Sequence, residues 1–292
     1  MVEFMYEMFD ISENFPIHLQ YGFHDEDMYL HSHKDFSELV IVLDGSAEHI
    51  VNGESYRISK GDVFVISRST EHGFFSPDNL KICNIMFKPD EVFSGIYDMK
   101  QLAGFQALFV LEPHYSRNYS FCSQLKLITA EYAETESVLN GIMIEYLSKP
   151  AGWRDMVSSG FRRLCITLSR FYHTEEAKSE NDFFKLADAV AYIENNFCTQ
   201  ITLEKLAQIS GYSDRQFLRL FKSAFSTTPN LYIAELRMKK AKQLLEVTSL
   251  SIGEIAYQCG FDDQNYFSRF FKKTTGMTPS AYRSVILNSR TT

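Results

Sequence analysis

The sequence predicts an α+β protein of two domains, an N-terminal antiparallel β-barrel with a following helix pair and a C-terminal all-α domain. Three observations predict this: β-rich runs with turn signals from about Tyr21 to Phe87, helical periodicity after Pro113, and a motif near the end that occurs twice. With 292 residues, of which 45% are hydrophobic and 23% charged, the chain can bury two cores of ordinary size. We expect domains at 1–172 and 183–292, joined by a polar linker at 173–182.

The front half carries three dipeptides of the kind that turn a chain between antiparallel strands. Each borders a strand-like run: Glu38–Leu43 ends at Asp44-Gly45, His49–Val51 ends at Asn52-Gly53, and Val63–Ile66 follows Gly61-Asp62. Many short strands at this spacing predict an antiparallel barrel or jelly roll.

Two helices are predicted between the barrel and the linker, at Phe121–Tyr146 and Asp155–Tyr172, with Pro150–Gly152 separating them. Each has an apolar face, formed in the first helix by Leu125, Ile128, Tyr132 and Leu139, and in the second by Phe161, Leu164, Cys165 and Leu168. Such faces pack either on the barrel or on a second subunit, and spacing alone does not separate a core stripe from a dimer surface.

The motif that occurs twice, at Ala207–Lys222 and again at Ala256–Lys272, has the pattern of a helix-turn-helix. In the first copy a helix at Leu203–Ile209 is followed by Gly211, which tolerates a positive φ at the turn. Ser213 can then cap the next helix, because its hydroxyl accepts from free backbone N–H groups.

The second copy begins with Ser251 and Glu254 in capping-box spacing, turns at Cys259-Gly260 and has Asp262 as the expected cap of its second helix. A helix predicted at Pro229–Val247 joins the copies and would hold them at a constant separation. That connecting helix is basic, with Arg237, Lys239, Lys240 and Lys242 along it.

The second helix of each copy is expected to present a polar outer face, because its phenylalanines, four apart, turn inward: Phe217 and Phe221, then Phe267 and Phe271. In such motifs the N-terminal part of this helix enters the major groove of DNA. The outward residues, which are the candidate DNA contacts, are Arg215, Leu218, Arg219, Lys222, Gln264, Asn265, Ser268, Arg269 and Lys272. Asn and Gln pair with adenine and Arg with guanine, whereas Lys meets phosphates. The alternative is a helical bundle whose basic residues form a solvated face.

The net charge of −8 conceals an asymmetry between the two halves. Residues 183–292 contain 14 Lys and Arg against 9 Asp and Glu, a net charge of +5, whereas residues 1–182 contain 15 and 28, a net charge of −13. A basic segment attached to an acidic one suits a DNA-binding module on a second domain that avoids phosphates.

Cysteine usage and the chain's apolar runs bear on where the protein resides. The five cysteines are scattered, with no Cys-x-x-Cys, which predicts reduced thiols. The segment Met1–Asn14 has no basic residue, unlike a secretory signal, and no apolar run approaches the roughly 18 residues of a membrane span. We therefore expect a cytoplasmic protein without a membrane partner.

Four residues of the front half could meet at a binding site. His31 and His33 alternate and so point the same way on a strand, Glu38 begins a second extended run, and His72 follows Gly61-Asp62. Converging imidazoles and a carboxylate could bind Zn²⁺, Fe²⁺ or Mn²⁺, could hydrogen-bond the hydroxyls of a sugar, or could be satisfied within the barrel. Aromatic residues that could stack on a sugar, or form an ordinary core, are Phe36, Tyr56, Phe64 and Phe74.

The segment from about Phe183 to Arg283 resembles the DNA-binding domain of the AraC/XylS family of bacterial transcription regulators. The most specific motifs are Glu254-Ile255-Ala256, Cys259-Gly260-Phe261, Tyr266–Lys272 and Gly276–Pro279. The resemblance implies a seven-helix domain that inserts one helix of each copy into successive major grooves. The chain departs from the family pattern at Ser226, where glycine is usual, and at Leu218, where a polar residue is common. The second departure favours contact of Leu218 with a thymine methyl group.

The front domain resembles the cupins through His31, His33 and Glu38, then Gly45, and later Gly61-Asp62 with His72. In cupin enzymes the positions that match His31, His33, Glu38 and His72 ligate the metal, although Ser67 stands where proline is usual. In AraC-type regulators the same barrel binds the effector. Likeness to rhamnose-type sugar regulators, through His31–Gly45 and Ala103–Leu108, points to a sugar.

These resemblances imply a transcriptional activator that binds double-stranded DNA and RNA polymerase, forms a homodimer and responds to a small-molecule effector, a sugar. No cofactor follows from the residues beyond the candidate ion. The rival interpretation is a metal-dependent cupin enzyme, of the sugar isomerase or dioxygenase type, with a DNA-binding domain attached. Only the four candidate ligands suggest chemistry, so we do not expect an enzyme.

Overall fold

The computed structural model describes residues 2–9, 15–94, 98–111, 125–172 and 182–289. The chain divides into two compact units, Met1–Ala187 and Asp188–Thr292, and this division falls inside the helix Asp182–Asn196. Of the linker expected at 173–182, residues 173–181 lie outside the described residues, so its limits stay a prediction.

Eight strands of the first unit form one sheet, with the order β1-β3-β7-β4-β6-β8, β2 pairing with β7 and β5 with β4. The strands are β1 Val2–Phe4, β2 Ile17–His24, β3 His31–His33, β4 Ser37–Val51, β5 Glu54–Ser59, β6 Asp62–Ile66, β7 His72–Phe87 and β8 Leu125–Lys126. All pairs are antiparallel except β1 with β3. The long strands β4 and β7 pair with each other, and each carries two further strands on its other side.

The core of this sheet is a cluster of apolar side chains that β4 and β7 share with β5 and β6. Its buried members are Val40, Val42, Ala47, Val51, Ile58, Phe64, Ile66, Phe74, Leu80 and Ile82. The predicted β-rich front domain is confirmed.

One predicted turn is confirmed and another is wrong. Asn52-Gly53 joins β4 to β5, and both residues have the positive φ of a two-residue hairpin, 49° and 87°. Asp44-Gly45 does not end a strand, because β4 continues through it to Val51. The register of β4 against β7 shifts around Asp44 and Ser46, so the Asp-Gly pair lies at a bulge rather than at a turn.

The helices of the first unit follow the strand β7. They are α1 Pro89–Val92, α2 Ala103–Phe105, which continues into a π-helical segment at Gln106–Leu111, α3 Thr129–Ser148 and α4 Trp153–Phe171. A 3₁₀ turn lies at Met99–Gln101. The helices α3 and α4 pack against each other, as the predicted pair.

The start of the first predicted helix is wrong. Helix α3 begins at Thr129, whereas Leu125 is buried in β8 opposite Val63, and Ile128 is an exposed cap residue. Backbone pairing with β6 overrides the helical spacing of these residues, and residues 121–124 lie outside the described ones. In α4 the predicted face is confirmed, since Phe161, Leu164, Cys165 and Leu168 are all buried.

Seven helices make up the described C-terminal region, 182–289, which confirms the predicted all-α domain. They are α5 Asp182–Asn196, α6 Leu203–Ser210, α7 Asp214–Phe225, α8 Pro229–Val247, α9 Ile252–Gln258, α10 Gln264–Thr275 and α11 Pro279–Ser289. Within the described ranges we find no helix with the length and apolarity needed for a bilayer span.

Candidate DNA-binding and effector sites

The first helix-turn-helix copy consists of α6 and α7, and its turn is built as predicted. Helix α6 ends at Gly211, whose φ is 64°, and the hydroxyl of Ser213 accepts a hydrogen bond from the Gln216 N–H at the start of α7. Phe217 and Phe221 are fully buried, which leaves the other side of α7 to solvent.

The second copy consists of α9 and α10. Ser251 and Glu254 form the predicted capping box. The cap of α10 is Asp263 and not Asp262 as predicted: Asp263 Oδ1 accepts from the N–H groups of Asn265 and Tyr266, at 2.6 and 3.1 Å. The N-cap is the residue just before the helix, and α10 starts at Gln264. Its side chain bonds the N–H groups two and three residues further along, which Asp263 reaches.

The nine candidate DNA contacts lie on the outer faces of α7 and α10. All are exposed except Ser268, which is half-buried. No described residue forms an ion pair with the cationic ones: Arg215, Arg219, Lys222, Arg269 and Lys272. These five charges are therefore not neutralised by an ion pair with any described residue.

Sequence reasoning missed one exposed aromatic residue on α10, the helix that carries the candidate contacts Gln264 and Asn265. Tyr266 is 52% exposed on α10, beside Asn265. Its ring lies 6.1 Å from that of Phe270 and 6.2 Å from that of Phe261, and these two contacts restrict its orientation. The run of aromatics in this helix is a signal that could have identified it.

The structure brings together the four candidate ligand residues of the front domain. His31 and His33 come from β3, Glu38 from β4 and His72 from β7, and all four are buried. His72 Nε2 lies 3.3 Å from His33 Nε2 and 3.6 Å from Glu38 Oε2. One ring nitrogen of each of the three histidines lies within 4.8 Å of the other two.

A fourth histidine, which sequence reasoning missed, extends this cluster. His49 on β4 is fully buried, and its Nε2 lies 3.3 Å from Nδ1 of His72. His72 therefore uses one ring nitrogen toward His33 and Glu38 and the other toward His49. The sequence pattern that could have identified His49 is the alternation of a strand, because Ala47, His49 and Val51 of β4 face the same side and all are buried.

Burial keeps the cluster neutral. It lowers the pKa of His33 and of His49 to about 3, with His31 adding to the effect in both cases, and lowers the pKa of His72 well below its usual value. Burial also raises the pKa of Glu38 to about 8. The close approaches of Glu38 to His33 and His72 are therefore not ion pairs at neutral pH. Neutral imidazoles offer lone pairs, and a protonated carboxyl offers a donor, to a hydroxyl group or an ion.

Three of the aromatic residues proposed as sugar-stacking walls pack on the histidines. Phe36 stacks on His33 with ring centroids 4.4 Å apart, Phe64 stacks on His49 at 4.6 Å, and Phe74 lies 5.0 Å from His49. All three are buried, so the ordinary-core alternative describes them.

An N-terminal arm, residues 2–9, lies against the strand that carries His31 and His33. Strand β1 pairs with β3, Val2 opposite His31 and Phe4 opposite His33, and the rings of Phe4 and His31 are 5.0 Å apart. The arm continues to Tyr6, whose N–H donates to Asp35 Oδ1 at 2.9 Å.

A cavity of about 220 Å³ lies elsewhere in the first unit, between Tyr21 and Phe23 of β2 and Glu136 and Leu139 of α3. None of the candidate ligand residues lines it. The histidine cluster stays the candidate effector site, because its ionisable groups are buried together, whereas those of the cavity lining, Tyr21, Lys81 and Glu136, are exposed.

Two protein-family models match this chain, a helix-turn-helix domain over residues 206–284 and a cupin domain over residues 18–86. The curated relatives include the HTH-type transcriptional activator RhaR of Enterobacter sp. (strain 638), 29% identical over 87% of this chain and 86% of the relative. RhaR of Salmonella dublin is 29% identical over 88% of each chain.

Solved structures match the C-terminal region. The DNA-binding domain of AdpA, in complex with a target DNA, is 32% identical over 36% of this chain and 96% of that one, with a TM-score of 0.35. A transcriptional regulator with an AraC-type DNA-binding domain, from Chromobacterium violaceum, is 38% identical over 34% of this chain and 89% of that one, with a TM-score of 0.33.

A cupin domain followed by two helix-turn-helix copies defines a DNA-binding transcriptional regulator. The similarity to curated transcriptional activators over 87% of the chain makes the assignment more specific. The chain belongs to the AraC family of transcriptional regulators.

Proposed function

We propose that this chain is a sequence-specific transcriptional activator, controlled by a sugar that binds in the cupin domain. The main support for DNA binding is the set of five cationic side chains on α7 and α10 that have no ion-pair partner among the described residues. The relatives named as activators, 29% identical over nearly nine-tenths of the chain, support activation.

The two reading helices are proposed to recognise different sequences. Helix α7 offers Arg215, Leu218 and Arg219, which suit guanine and a thymine methyl group. Helix α10 offers amide side chains for adenine, at Gln264 and Asn265, together with Ser268 and Arg269. Lys222 and Lys272, at the other end of their helices, are proposed to contact phosphates.

The effector is proposed to bind at His31, His33, Glu38 and His72. A ligand at this site would act on the arm, because β1 is hydrogen-bonded to the strand that carries His31 and His33. A ligand can shift an equilibrium only by its differential affinity for two states, and the pairing of Phe4 with His33 is the contact that would differ. A homodimer through α3 and α4, and contact with RNA polymerase, complete the proposal.

The test is fluorescence anisotropy of the full chain on duplexes from its own upstream region, over a salt series, with and without candidate sugars. We expect salt-sensitive binding whose affinity one sugar changes. His33→Ala should keep the DNA binding and lose the response, whereas His24→Ala, a half-buried histidine of β2 outside the cluster, should keep both. Absence of salt-sensitive binding in every condition would contradict the proposal.

The grouping of three histidines with a carboxyl group, all possible metal ligands, favours a second candidate function. This is a metal-dependent cupin enzyme of the sugar isomerase or dioxygenase type with a DNA-binding domain attached. Nitrogen ligands about 2.1 Å from one ion lie about 3.0 to 3.4 Å apart, which fits the 3.3 Å between His33 Nε2 and His72 Nε2. His31, His33, Glu38 and His72 would hold the ion, which supplies Lewis-acid polarisation of a sugar oxygen.

Elemental analysis of the purified protein separates the two candidates. The enzyme predicts stoichiometric metal and turnover of a sugar that His33→Ala abolishes. Metal without turnover would make the ion a part of the effector site, and absence of metal would favour direct contacts between the side chains and the sugar.

A further inference from the structure

The loop that leads into the first helix-turn-helix, residues 197–199, is held by two cationic side chains of the connecting helix α8. Arg237 Nε donates to the Phe197 carbonyl at 2.6 Å, and Arg237 Nη2 donates to the Thr199 carbonyl at 2.8 Å. One turn further along α8, Lys240 Nζ donates to Cys198 Sγ at 3.2 Å. Two of the four basic residues noted on this helix thus bind the protein's own backbone and thiol.

The same loop touches the turn of the second helix-turn-helix. A Cβ atom added to Gly260 would lie 2.5 Å from the Cys198 carbonyl oxygen, so the two backbones are in direct contact. The Arg237 guanidinium also lies over the ring of Phe261, 5.5 Å from its centroid. One arginine therefore contacts the loop before the first copy and the residue after the turn of the second.

These contacts affect the position of α10 relative to α7, the two helices that are proposed to read DNA. One base-pair step of DNA advances about 3.4 Å along the axis and turns it by about 34°. The second copy also meets the rest of the domain through packing of α8 on α9 and α11. The planar guanidinium of Arg237 adds a further point of attachment, since its fixed donors hold two carbonyl groups in one orientation, whereas the three donors of a lysine ammonium rotate freely.

We propose that Arg237 is a positioning residue that sets the separation and angle of α7 and α10, and so the spacing of the two DNA sequences that they read. The proposal rests on the proposed reading of DNA by both helices. Arg237 itself touches no base in this role, and its charge is directed into the protein.

The test is in vitro selection of binding sites from a random duplex library, with the full chain and with Arg237→Lys and Arg237→Ala. The wild-type chain should enrich two sequence blocks at a single spacing. The variants should enrich the same blocks at several spacings. On the selected duplex with one base pair inserted between the blocks, wild-type affinity should fall about tenfold or more, and that of Arg237→Lys by much less.

The matched control is Arg283→Lys. Arg283 Nη2 also donates to a backbone carbonyl, that of Leu250 at 2.6 Å, but this bond lies within the second half of the domain. Arg283→Lys should lower the melting temperature of the protein without changing the spacing of the two selected sequence blocks. Circular dichroism shows whether each variant is folded. If Arg237→Ala is unfolded, the result for Arg237→Lys, which keeps the positive charge, tests the proposal.

Three outcomes overturn the proposal. A folded Arg237→Lys that keeps the single spacing would show that packing alone places the helices. Equal loss of affinity at both spacings would reassign Arg237 to contact with the DNA backbone. A wild-type chain that enriches no sequence would overturn the DNA reading together with this inference, whereas the first two results leave DNA reading intact.

Discussion

The two helix-turn-helix copies make nearly the same aromatic contact with the helix that follows each of them. The ring of Phe221 in the first copy lies 5.6 Å from that of Tyr232 in α8, at 78°, and the ring of Phe271 in the second copy lies 5.4 Å from that of Tyr282 in α11, at 77°. Each tyrosine hydroxyl donates to a glutamate, Tyr232 to Glu194 at 2.7 Å and Tyr282 to Glu246 at 3.0 Å. The duplication has thus kept the contacts that form one unit.

The copies differ in what surrounds their turns. A Cβ on Gly211 would meet no heavy atom of the described chain within 4 Å, whereas one on Gly260 would meet the backbone of Cys198. The helix ends differ as well, with Ser226 at φ 55° where the second copy has Gly276 at φ 80°. Equivalent positions of a repeat therefore experience different constraints, and substitutions at matched positions measure them.

The largest difference is expected between Gly260→Ala and Gly211→Ala. Both glycines have positive φ, at 83° and 64°, so each alanine costs about 1 kcal/mol of backbone strain. Gly260→Ala adds a clash with backbone atoms, and its total loss in free energy of unfolding should be about 3 kcal/mol. Urea unfolding of the full chain, followed by far-UV circular dichroism, measures both. Equal losses would contradict the contact with Cys198.

Arg219→Ala and Arg269→Ala test whether the two copies read different sequences. Each should weaken binding to the selected duplex by about 1 to 3 kcal/mol and barely change binding to unrelated DNA. Repeating the site selection should relax one block with Arg219→Ala and the other with Arg269→Ala. If either variant loses as much on unrelated DNA, that arginine contacts phosphate.

Tyr232→Phe and Tyr282→Phe compare the matched hydrogen bonds. The acceptor Glu194 is buried and Glu246 is half-buried, and burial raises the pKa of both tyrosines. Loss of the more buried bond should lower the free energy of unfolding by about 1 to 2 kcal/mol, and loss of the other by about 0.5 kcal/mol. The same urea experiment ranks the two, and a reversed order would mean that solvent reaches Glu194 more readily.

The smallest effect is expected at the ends of α7 and α10. Because Ser226 has a left-handed conformation that glycine adopts without strain, Ser226→Gly should stabilise the chain by about 0.5 to 1 kcal/mol. Gly276→Ser should destabilise it by a similar amount. Melting temperatures that move in the same direction for both variants would show that these two ends are not equivalent.

The repeat was well predicted because its signals are local. The turn at Gly211, the cap at Ser213, the capping box at Ser251 and the inward Phe267 all depend on residues within one or two helical turns of one another. The one error there, Asp262 for Asp263 as the cap, is a shift of a single residue at a helix boundary.

The effector site was predicted in part. A short spacing placed His31 and His33 on one strand, and the structure brings Glu38 and His72 to them. His49 was missed because its nearness to His72 depends on the register between β4 and β7, which shifts between Val42 and Glu48.

By itself the sequence determined the order of the β-rich and all-α regions, the two turns of the repeat with the caps at Ser213 and Ser251, and the division of charge between the halves, because each depends on neighbouring residues or on composition. Only the tertiary structure decided that Asp44-Gly45 lies within a strand, that His49 joins the histidine cluster, and that Arg237 holds residues 197–199 beside Gly260. These contacts join segments far apart in the chain, and their distances follow from strand register and helix packing, which no local pattern encodes.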